Sequence, residues 1–373
     1  MPGEGRKVKT VMEDQSSVSG LSSTDCAASK HEQTTQMAQL EEEIVRLKSE
    51  CEYLRRTKDA PNGRWLPAQS RKASSDYFPL NLAQFNLPFE IVNPLKGERV
   101  RIVDVGAFDL DDQNDLYVDL VTQYPTEIYG FEPQNVVVKR VNEGICRKTI
   151  FPWAIGDGSE TDFFQTSYEA ASSTFEPDVK FLEQFFALPT MLKVMGRKRI
   201  RTRLLDEIEE IDDCDLLKID VQGGEMKVVK GAPRLLSHTL VVMTEVEFAP
   251  LYKDQPLFSE VDCFLREQGF FLHGLFNFGY GSLKAGAYGD VPSRLLWADA
   301  VYIKEADLLR KLNSSKMLKA LLIAHTILQD SGLCCSLLEM YDSNNSSSLL
   351  RSYRSQMAVL RRTYQSMEAS DAR

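Results

Sequence analysis

The sequence lacks several features that would assign it to common classes of protein. Its 373 residues contain no unbroken run of about 18 apolar side chains, so no membrane-spanning helix is predicted. The amino-terminal segment has no apolar stretch of the kind that secretion requires. The seven cysteines form no Cys-x-x-Cys pair and no Cys/His spacing typical of a metal site. These absences predict a soluble, cytoplasmic protein with reduced thiols and no identifiable metal-binding residues, and they leave a metal requirement open.

Positive charge is also scarce. The chain has 44 Lys and Arg against 54 Asp and Glu, which gives a formal net charge of −10. Proteins whose main partner is a nucleic-acid backbone or an anionic membrane usually carry the opposite charge. The balance therefore argues against nucleic acid and membrane as partners, and it leaves small molecules and proteins open.

Composition divides the chain into five segments. Residues 1–35 are polar and predict a disordered tail. Residues 36–57 predict an amphipathic helix, because apolar residues recur every three or four positions from Met37 to Leu54. This helix either packs against the domain or forms a short coiled coil, in which case the protein is a homodimer through residues 37–54. Residues 58–97 are interpreted as a linker, 98–304 as the main domain, and 305–373 as a C-terminal helical appendage with a mobile end.

The main domain alternates short β-branched or aromatic runs with segments of helical period. Such alternation is typical of an α/β, Rossmann-like fold with a mainly parallel sheet, here predicted to have seven strands and helices on both faces. Residues 111–124, 135–145, 224–236 and 257–269 are interpreted as helices. Residues 160–196 interrupt the alternation and predict a hairpin with an inserted lid.

Polar or aromatic residues follow most of the predicted strands. In open α/β sheets, ligands bind at the carboxyl ends of the strands, so these residues are candidates for one site. In chain order they are Asp104, Gly106 and Ala107, then Glu132, Trp153 and Ala154, and finally Asp220, Glu245 and Glu247. Glycine allows a close backbone approach, a carboxylate after the second strand binds ribose hydroxyls, and aromatic groups flank a purine. The set predicts a nucleoside-cofactor site.

The loop after the first strand favours one nucleoside over another. It reads GAFDLDDQND and lacks the G-x-G-x-x-G pattern that packs a pyrophosphate on a helix. Its acidic side chains would repel a pyrophosphate, whereas they suit the cationic sulfonium and ammonium of S-adenosylmethionine.

The motifs VDVGA, GFEP, AIGDG and SST resemble the FkbM family of S-adenosylmethionine-dependent methyltransferases. So does LLKIDVQGGEMKVVKGA, together with the segment from Thr244 to Phe270. The resemblance extends over residues 98–304. It implies a class I methyltransferase fold, one S-adenosylmethionine per chain, and methyl transfer to oxygen, often of a sugar or polyketide hydroxyl.

The resemblance also implies roles for individual residues. Asp104 and Gly106 would border the methionine part of the cofactor, and Glu132 would hold the ribose. Trp153 and Ala154 would lie beside the adenine, and Asp220 would face the methionine amine or the acceptor. The chain departs from the family pattern at Leu110, where a second glycine is typical.

Methyl transfer to a hydroxyl requires a positioned acceptor and benefits from a general base. The candidates for this base are His273, Glu245 and Asp220. Ser172, Ser173 and Thr174 follow the predicted hairpin and are candidates for hydrogen bonds to acceptor or cofactor.

Three functions agree with these residues. The first is O-methylation of a glycan or secondary metabolite. The second is N-methylation, against which the absence of an Asn-Pro-Pro-Tyr-like tetrapeptide counts. The third is a catalytically silent interaction module whose helix at residues 36–57 docks a partner.

Overall fold

The structure is a computed structural model that describes residue 82 and residues 85–107, 116–134, 138–284 and 294–371. All of these residues belong to one compact unit. Residues 1–57 and Leu110 lie outside the described residues, so the tail and the homodimer through residues 37–54 stay predictions. Within the described ranges, no helix is both long enough and apolar enough to cross a membrane.

The described residues form eleven strands and eleven α-helices. The strands are β1 (Val100–Val105), β2 (Thr126–Phe131), β3 (Lys139–Glu143), β4 (Cys146–Phe151), β5 (Ala154–Ile155), β6 (Glu160–Thr166), β7 (Val194–Arg203), β8 (Leu216–Ile219), β9 (Val241–Glu247), β10 (Phe270–Gly281) and β11 (Arg294–Lys304). The helices are α1 (Phe89–Val92), α2 (Val118–Gln123), α3 (Val179–Leu182), α4 (Leu188–Met191), α5 (Glu225–Lys230), α6 (Pro233–His238), α7 (Phe258–Glu267), α8 (Ala306–Leu309), α9 (Ser314–Thr326), α10 (Ser331–Asn345) and α11 (Leu349–Asp371).

The larger sheet is mainly parallel, as the alternating pattern predicts. Its strand order is β10-β11-β9-β8-β1-β2-β4-β3. The five strands from β9 to β4 pair in parallel, whereas β11 is antiparallel to both of its neighbours and β3 is antiparallel to β4. The mixed α/β fold is thus confirmed, and the sheet contains eight strands in the described ranges rather than the predicted seven.

The additional strand comes from a segment interpreted as a helix. The prediction for residues 135–145 was wrong in its described part, since β3 forms a hairpin with β4 in which Lys139 pairs with Ile150. Gly144 makes the turn with a φ of +56°, a conformation that glycine adopts at little cost. Local periodicity was overridden because this segment pairs with β4 and completes the edge of the sheet.

The third predicted strand is interrupted at Pro152. The main sheet ends at Phe151, and Ala154 and Ile155 then pair with β7 in a separate three-stranded sheet of order β5-β7-β6. Proline has no N–H to donate to a central strand, so the chain leaves the main sheet here. The predicted hairpin consists of β6 and β7, and residues 167–193 form the insertion between them.

Both faces of the main sheet are covered by helices, as predicted. Ile102, Ile128 and Leu216 face α2, α9 and α10 in one apolar cluster. Val103, Leu217 and their neighbours face α5, α6 and α7 in a second cluster. Side chains that alternate along a strand point to opposite faces, which explains why adjacent residues of β1 and β8 belong to different clusters.

The helices after residue 304 are part of this fold rather than an appendage to it. Residues Met317–Thr326 of α9 are all buried, and they share the apolar cluster of the sheet. The carboxylate of Asp215, fully buried at the start of β8, lies 2.6 Å from the Lys316 Nζ and accepts the Arg101 N–H. A helix buried on all sides requires such a location inside the core.

Candidate functional site

The site is built at the point where the order of the parallel strands reverses. From β1 the chain proceeds outward through β2 and β4, and after the insertion it returns on the other side of β1 through β8 and β9. The helical connections therefore diverge at the carboxyl ends of β1 and β8, which leaves a crevice there. A cleft that opens to solvent at its mouth occupies this position.

The cleft contains most of the residues predicted to bind the cofactor. Its lining includes Gly106, Glu132, Trp153, Ala154 and Asp220 from four successive strand ends. Residues that were not predicted as site residues also line it, and these include Phe131, Gln134, Phe163, Glu169, Lys218 and Gln222. Asp104 and Ala107 are buried behind this lining rather than in it.

Gly106 closes the floor of the cleft. Its φ is +87°, and a Cβ added at this position would lie 1.8 Å from the carbonyl oxygen of Asp220. No other residue tolerates both the conformation and the contact. The glycine therefore permits the ends of β1 and β8 to approach each other directly beneath the cleft.

Glu132 presents a buried carboxylate at the end of β2. Its side chain is 6% exposed, and one oxygen accepts the backbone N–H of Gln134 at 2.8 Å. Burial raises the pKa of Glu132, and the hydrogen bonds from Gln134 and the charge of Lys198 oppose that rise. The hydrogen bond holds the carboxylate in one orientation at the wall of the cleft.

Trp153 offers its edge, rather than a ring face, to the cleft. Phe151 stacks on the indole with ring centroids 4.4 Å apart, and the Arg203 guanidinium lies 3.8 Å from the same ring centroid. Two groups cannot share one face at these distances, so Arg203 covers the opposite face. The expected position of Trp153 beside the adenine therefore involves the edge of the ring and stays a prediction.

Asp104 acts through Lys218, a residue that the sequence reasoning missed. The Lys218 Nζ lies 3.4 Å from Asp104 Oδ1 and 4.0 Å from Asp220 Oδ2, and the Tyr117 hydroxyl donates to Asp104 Oδ2. Burial lowers the pKa of Lys218, but the neighbouring carboxylates outweigh it and raise that pKa overall. Lys218 precedes Asp220 by two residues, and this spacing on one face of β8 was the available signal.

Gln222 connects Asp220 to Glu245. Its side-chain amide donates to Asp220 Oδ1 at 2.8 Å and to Glu245 Oε2 at 2.7 Å, and its Oε1 accepts the Tyr252 hydroxyl. Glu245 is not among the residues that line the cleft, because the amide of Gln222 lies between them. Asp220 therefore borders the cleft directly, and Glu245 lies one amide group farther away.

Two further carboxyl groups, those of Glu225 and Glu247, lie with Glu245 behind this amide. Oxygens of Glu225, Glu245 and Glu247 lie within 4.8 Å of one another, and these are the described residues close enough to hold a metal ion together. Burial, and then their mutual charge and that of Asp220, raises the pKa of Glu245 and Glu247 well above the usual value. The cleft and the space behind Gln222 thus contain many more carboxyl groups than cations.

The stability of the protein should depend on pH through Glu225. Burial raises its pKa from 4.5 to about 7. The pKa of Glu225 is thus higher in the folded state than in the unfolded state, so protonation of this group stabilises the folded protein. The stabilisation is complete below pH 4.5 and is lost as the pH rises through 7. We expect Glu225→Gln to raise the free energy of unfolding at pH 8 relative to wild type by roughly 2–3 kcal/mol, with little gain at pH 4.5.

Chemical denaturation at both pH values measures this difference. The same change at Glu267, an exposed residue at the end of α7, is the control and should leave the pH dependence unaltered. Equal effects of Glu225→Gln at pH 4.5 and pH 8 would contradict the assignment.

His273 was wrongly predicted as a candidate base. It lies between Leu272 and Gly274, which pair with Tyr302 and Val301 of β11, and those residues pair with the first half of β9. His273 is therefore near the amino end of β9 and not at the rim with Glu245. Its Nε2 instead contacts the Asp330 carboxylate at 3.3 Å.

Two of the three polar residues predicted after the hairpin, Ser172 and Thr174, line the cleft. Ser173 instead donates its hydroxyl to the Gln222 carbonyl at 2.6 Å. The insertion between β6 and β7 thus contributes one wall of the cleft and holds the Gln222 turn in place.

Part of the chain is similar to a known family of proteins. The family model for the methyltransferase FkbM domain matches residues 104–272, from the end of β1 to the start of β10. The match covers less than half of the chain. Among solved structures, the chain is similar to precorrin-6y C5,15-methyltransferase from Geobacter metallireducens GS-15. The two are 11% identical, the match covers 58% of this chain and 86% of the other, and the TM-score is 0.26. No curated protein matches the sequence.

Proposed function

We propose that this protein is an S-adenosylmethionine-dependent O-methyltransferase that acts on a hydroxyl of a glycan or secondary metabolite. The observation that carries the proposal is the cleft at the strand-order reversal, which joins Gly106, Glu132 and Asp220 in one lining. A sheet that served only as a scaffold has no need of polar strand ends around a common cleft.

The residues present fit the cofactor in both shape and charge. Gly106 allows a ligand to approach the backbone, and Glu132 offers a fixed carboxylate suited to two ribose hydroxyls. Asp220 borders the cleft, and its carboxylate favours a cationic ligand. When bound, S-adenosylmethionine supplies a methyl group on a positively charged sulfur.

The remaining residues support distinct roles. Asp220 is the residue best located to accept a proton from the acceptor hydroxyl, since it borders the cleft. Glu245 supports Asp220 in this role, because the Gln222 amide donates a hydrogen bond to each of the two side chains. Asp104 holds Lys218 in place, and Ala154 with the edge of Trp153 forms the apolar wall for the adenine.

Titration calorimetry with S-adenosylmethionine tests the proposal. We expect binding in the micromolar range, as is usual for an enzyme and its small-molecule ligand. Incubation with hydroxylated acceptors should then yield S-adenosylhomocysteine, whereas amine acceptors should not. Absence of binding at submillimolar cofactor would instead favour a catalytically silent interaction module, and turnover with amines alone would favour N-methylation.

A further inference from the structure

Strand β7 carries an exposed row of arginines. One side of this strand presents Arg197, Arg199, Arg201 and Arg203, which we call the arginine face. All four are exposed, whereas the alternate residues from 198 to 202 are half-buried or buried. Because a strand rises about 3.3 Å per residue, the arginine face extends about 20 Å with a guanidinium every 6–7 Å or so.

The neighbouring strand neutralises only part of this charge. Asp162 of β6 pairs with Arg197 and, at 3.6 Å, with Arg199. Arg201 and Arg203 form no ion pair with any residue that the structure describes. In a chain with a net charge of −10, this row is a local excess of positive charge.

The arginine face ends beside the wall of the cleft. Arg203 does not line the cleft itself, but it pairs in register with Ile155 and lies over Trp153, and both of these residues line the cleft. A ligand that extends along the arginine face therefore has one end beside the proposed methyl-transfer site.

We propose that the arginine face binds acidic groups of the methyl acceptor, and that this acceptor is an oligosaccharide carrying carboxylate or sulfate groups. The inference rests on the proposed function, because the acceptor must supply a hydroxyl to the cleft. Guanidinium groups bind planar oxyanions through paired hydrogen bonds, and a row of about 20 Å suits a chain rather than a small molecule.

An acidic oligosaccharide suits this surface better than a nucleic acid does. Proteins that bind single-stranded nucleic acid offer free aromatic faces on which bases stack. On this side of the hairpin, the ring of Phe164 is 8% exposed and is covered by Arg197, whose guanidinium lies 5.3 Å from the ring centroid. The net charge of −10 also opposes a long, densely charged polyanion.

The test measures binding of a short oligogalacturonate and a heparin oligosaccharide to the full chain. We expect the wild type to bind one or both with an affinity that falls as salt is raised. The double variant R199A/R201A should bind about tenfold more weakly, because it loses two exposed ion pairs with the oligosaccharide. The control R351A/R354A makes the same charge change on exposed positions of α11 and should bind like wild type.

Cofactor binding, measured in the same variants, separates this proposal from the function on which it rests. Neither Arg199 nor Arg201 lines the cleft, so R199A/R201A should bind S-adenosylmethionine like wild type. Wild-type oligosaccharide affinity in that variant, or a wild type that binds the cofactor but neither oligosaccharide, would overturn the arginine-face proposal alone. Tighter binding of single-stranded DNA than of either oligosaccharide would overturn it as well.

Discussion

Glu132→Ala should weaken binding of S-adenosylmethionine by at least about 100-fold. The Glu132 carboxylate is fixed by the Gln134 N–H at the wall of the cleft, where it is suited to accept hydrogen bonds from both ribose hydroxyls. Hydrogen bonds to a charged group contribute about 1.5–3 kcal/mol each, and the loss of two therefore costs roughly 3 kcal/mol or more. Titration calorimetry at pH 7.5 measures the change.

A second glutamate in the cleft provides the matched control. Glu169 lines the same cleft but is exposed, so Glu169→Ala should alter the affinity no more than about threefold. Thermal melting of both variants checks that the fold is retained. If Glu132→Ala bound the cofactor as tightly as wild type, Glu132 would not be the residue that binds the ribose hydroxyls.

Lys218→Met should destabilise the protein by about 3 kcal/mol at pH 7.5. Asp104 is 3% exposed and, among the residues that the structure describes, would then retain only the Tyr117 hydroxyl as a side-chain partner, because its contact with the Lys218 Nζ is lost. Removing one member of a buried ion pair typically costs about 3–5 kcal/mol, and we expect the lower end because the Lys218 side chain is 26% exposed. Chemical denaturation measures the change.

The loss should also depend on pH. Burial already raises the pKa of Asp104 although Lys218 lowers it, so the substitution raises this pKa further. When the pKa of Asp104 is higher in the folded than in the unfolded state, the cost of burying its charged form is small at low pH and increases as the pH rises. The destabilisation should therefore be smaller at pH 5 than at pH 7.5, and a loss that is independent of pH would contradict this account.

An exposed ion pair supplies the comparison. Lys253 lies 2.8 Å from Glu176, and both side chains are 49% exposed. Exposed pairs contribute little, so Lys253→Met should cost less than about 1 kcal/mol. A similar cost for both substitutions would mean that the buried location of Asp104 is not what makes Lys218 necessary.

The strand-end residues could be predicted because the relevant rule is local. Each of Gly106, Glu132 and Asp220 follows an apolar run, and the carboxyl ends of parallel strands meet at one edge of the sheet. Their presence in one cleft follows from that rule without knowledge of the strand order. The preference for a cationic cofactor stays a prediction, and it rests on an acidic loop and acidic strand ends that are visible in the sequence.

Predictions that depended on distance along a strand or on the path between strands were less successful. His273 was predicted as a candidate base, but the pairing of β10 with β11 and of β11 with β9 puts it near the amino end of β9. The helical period of residues 135–145 was overridden by pairing of β3 with β4. Lys218 was missed because its partner Asp104 is 114 positions away in the chain.

The sequence by itself determined the class of fold and the set of strand-end residues, because each depends on neighbouring residues and on composition, and it predicted a cationic cofactor. Only the tertiary structure decided which carboxylates border the cleft and which lie behind Gln222, and that one face of Trp153 is covered by Arg203. Those outcomes depend on strand register and on contacts between residues far apart in the chain, which no local pattern specifies.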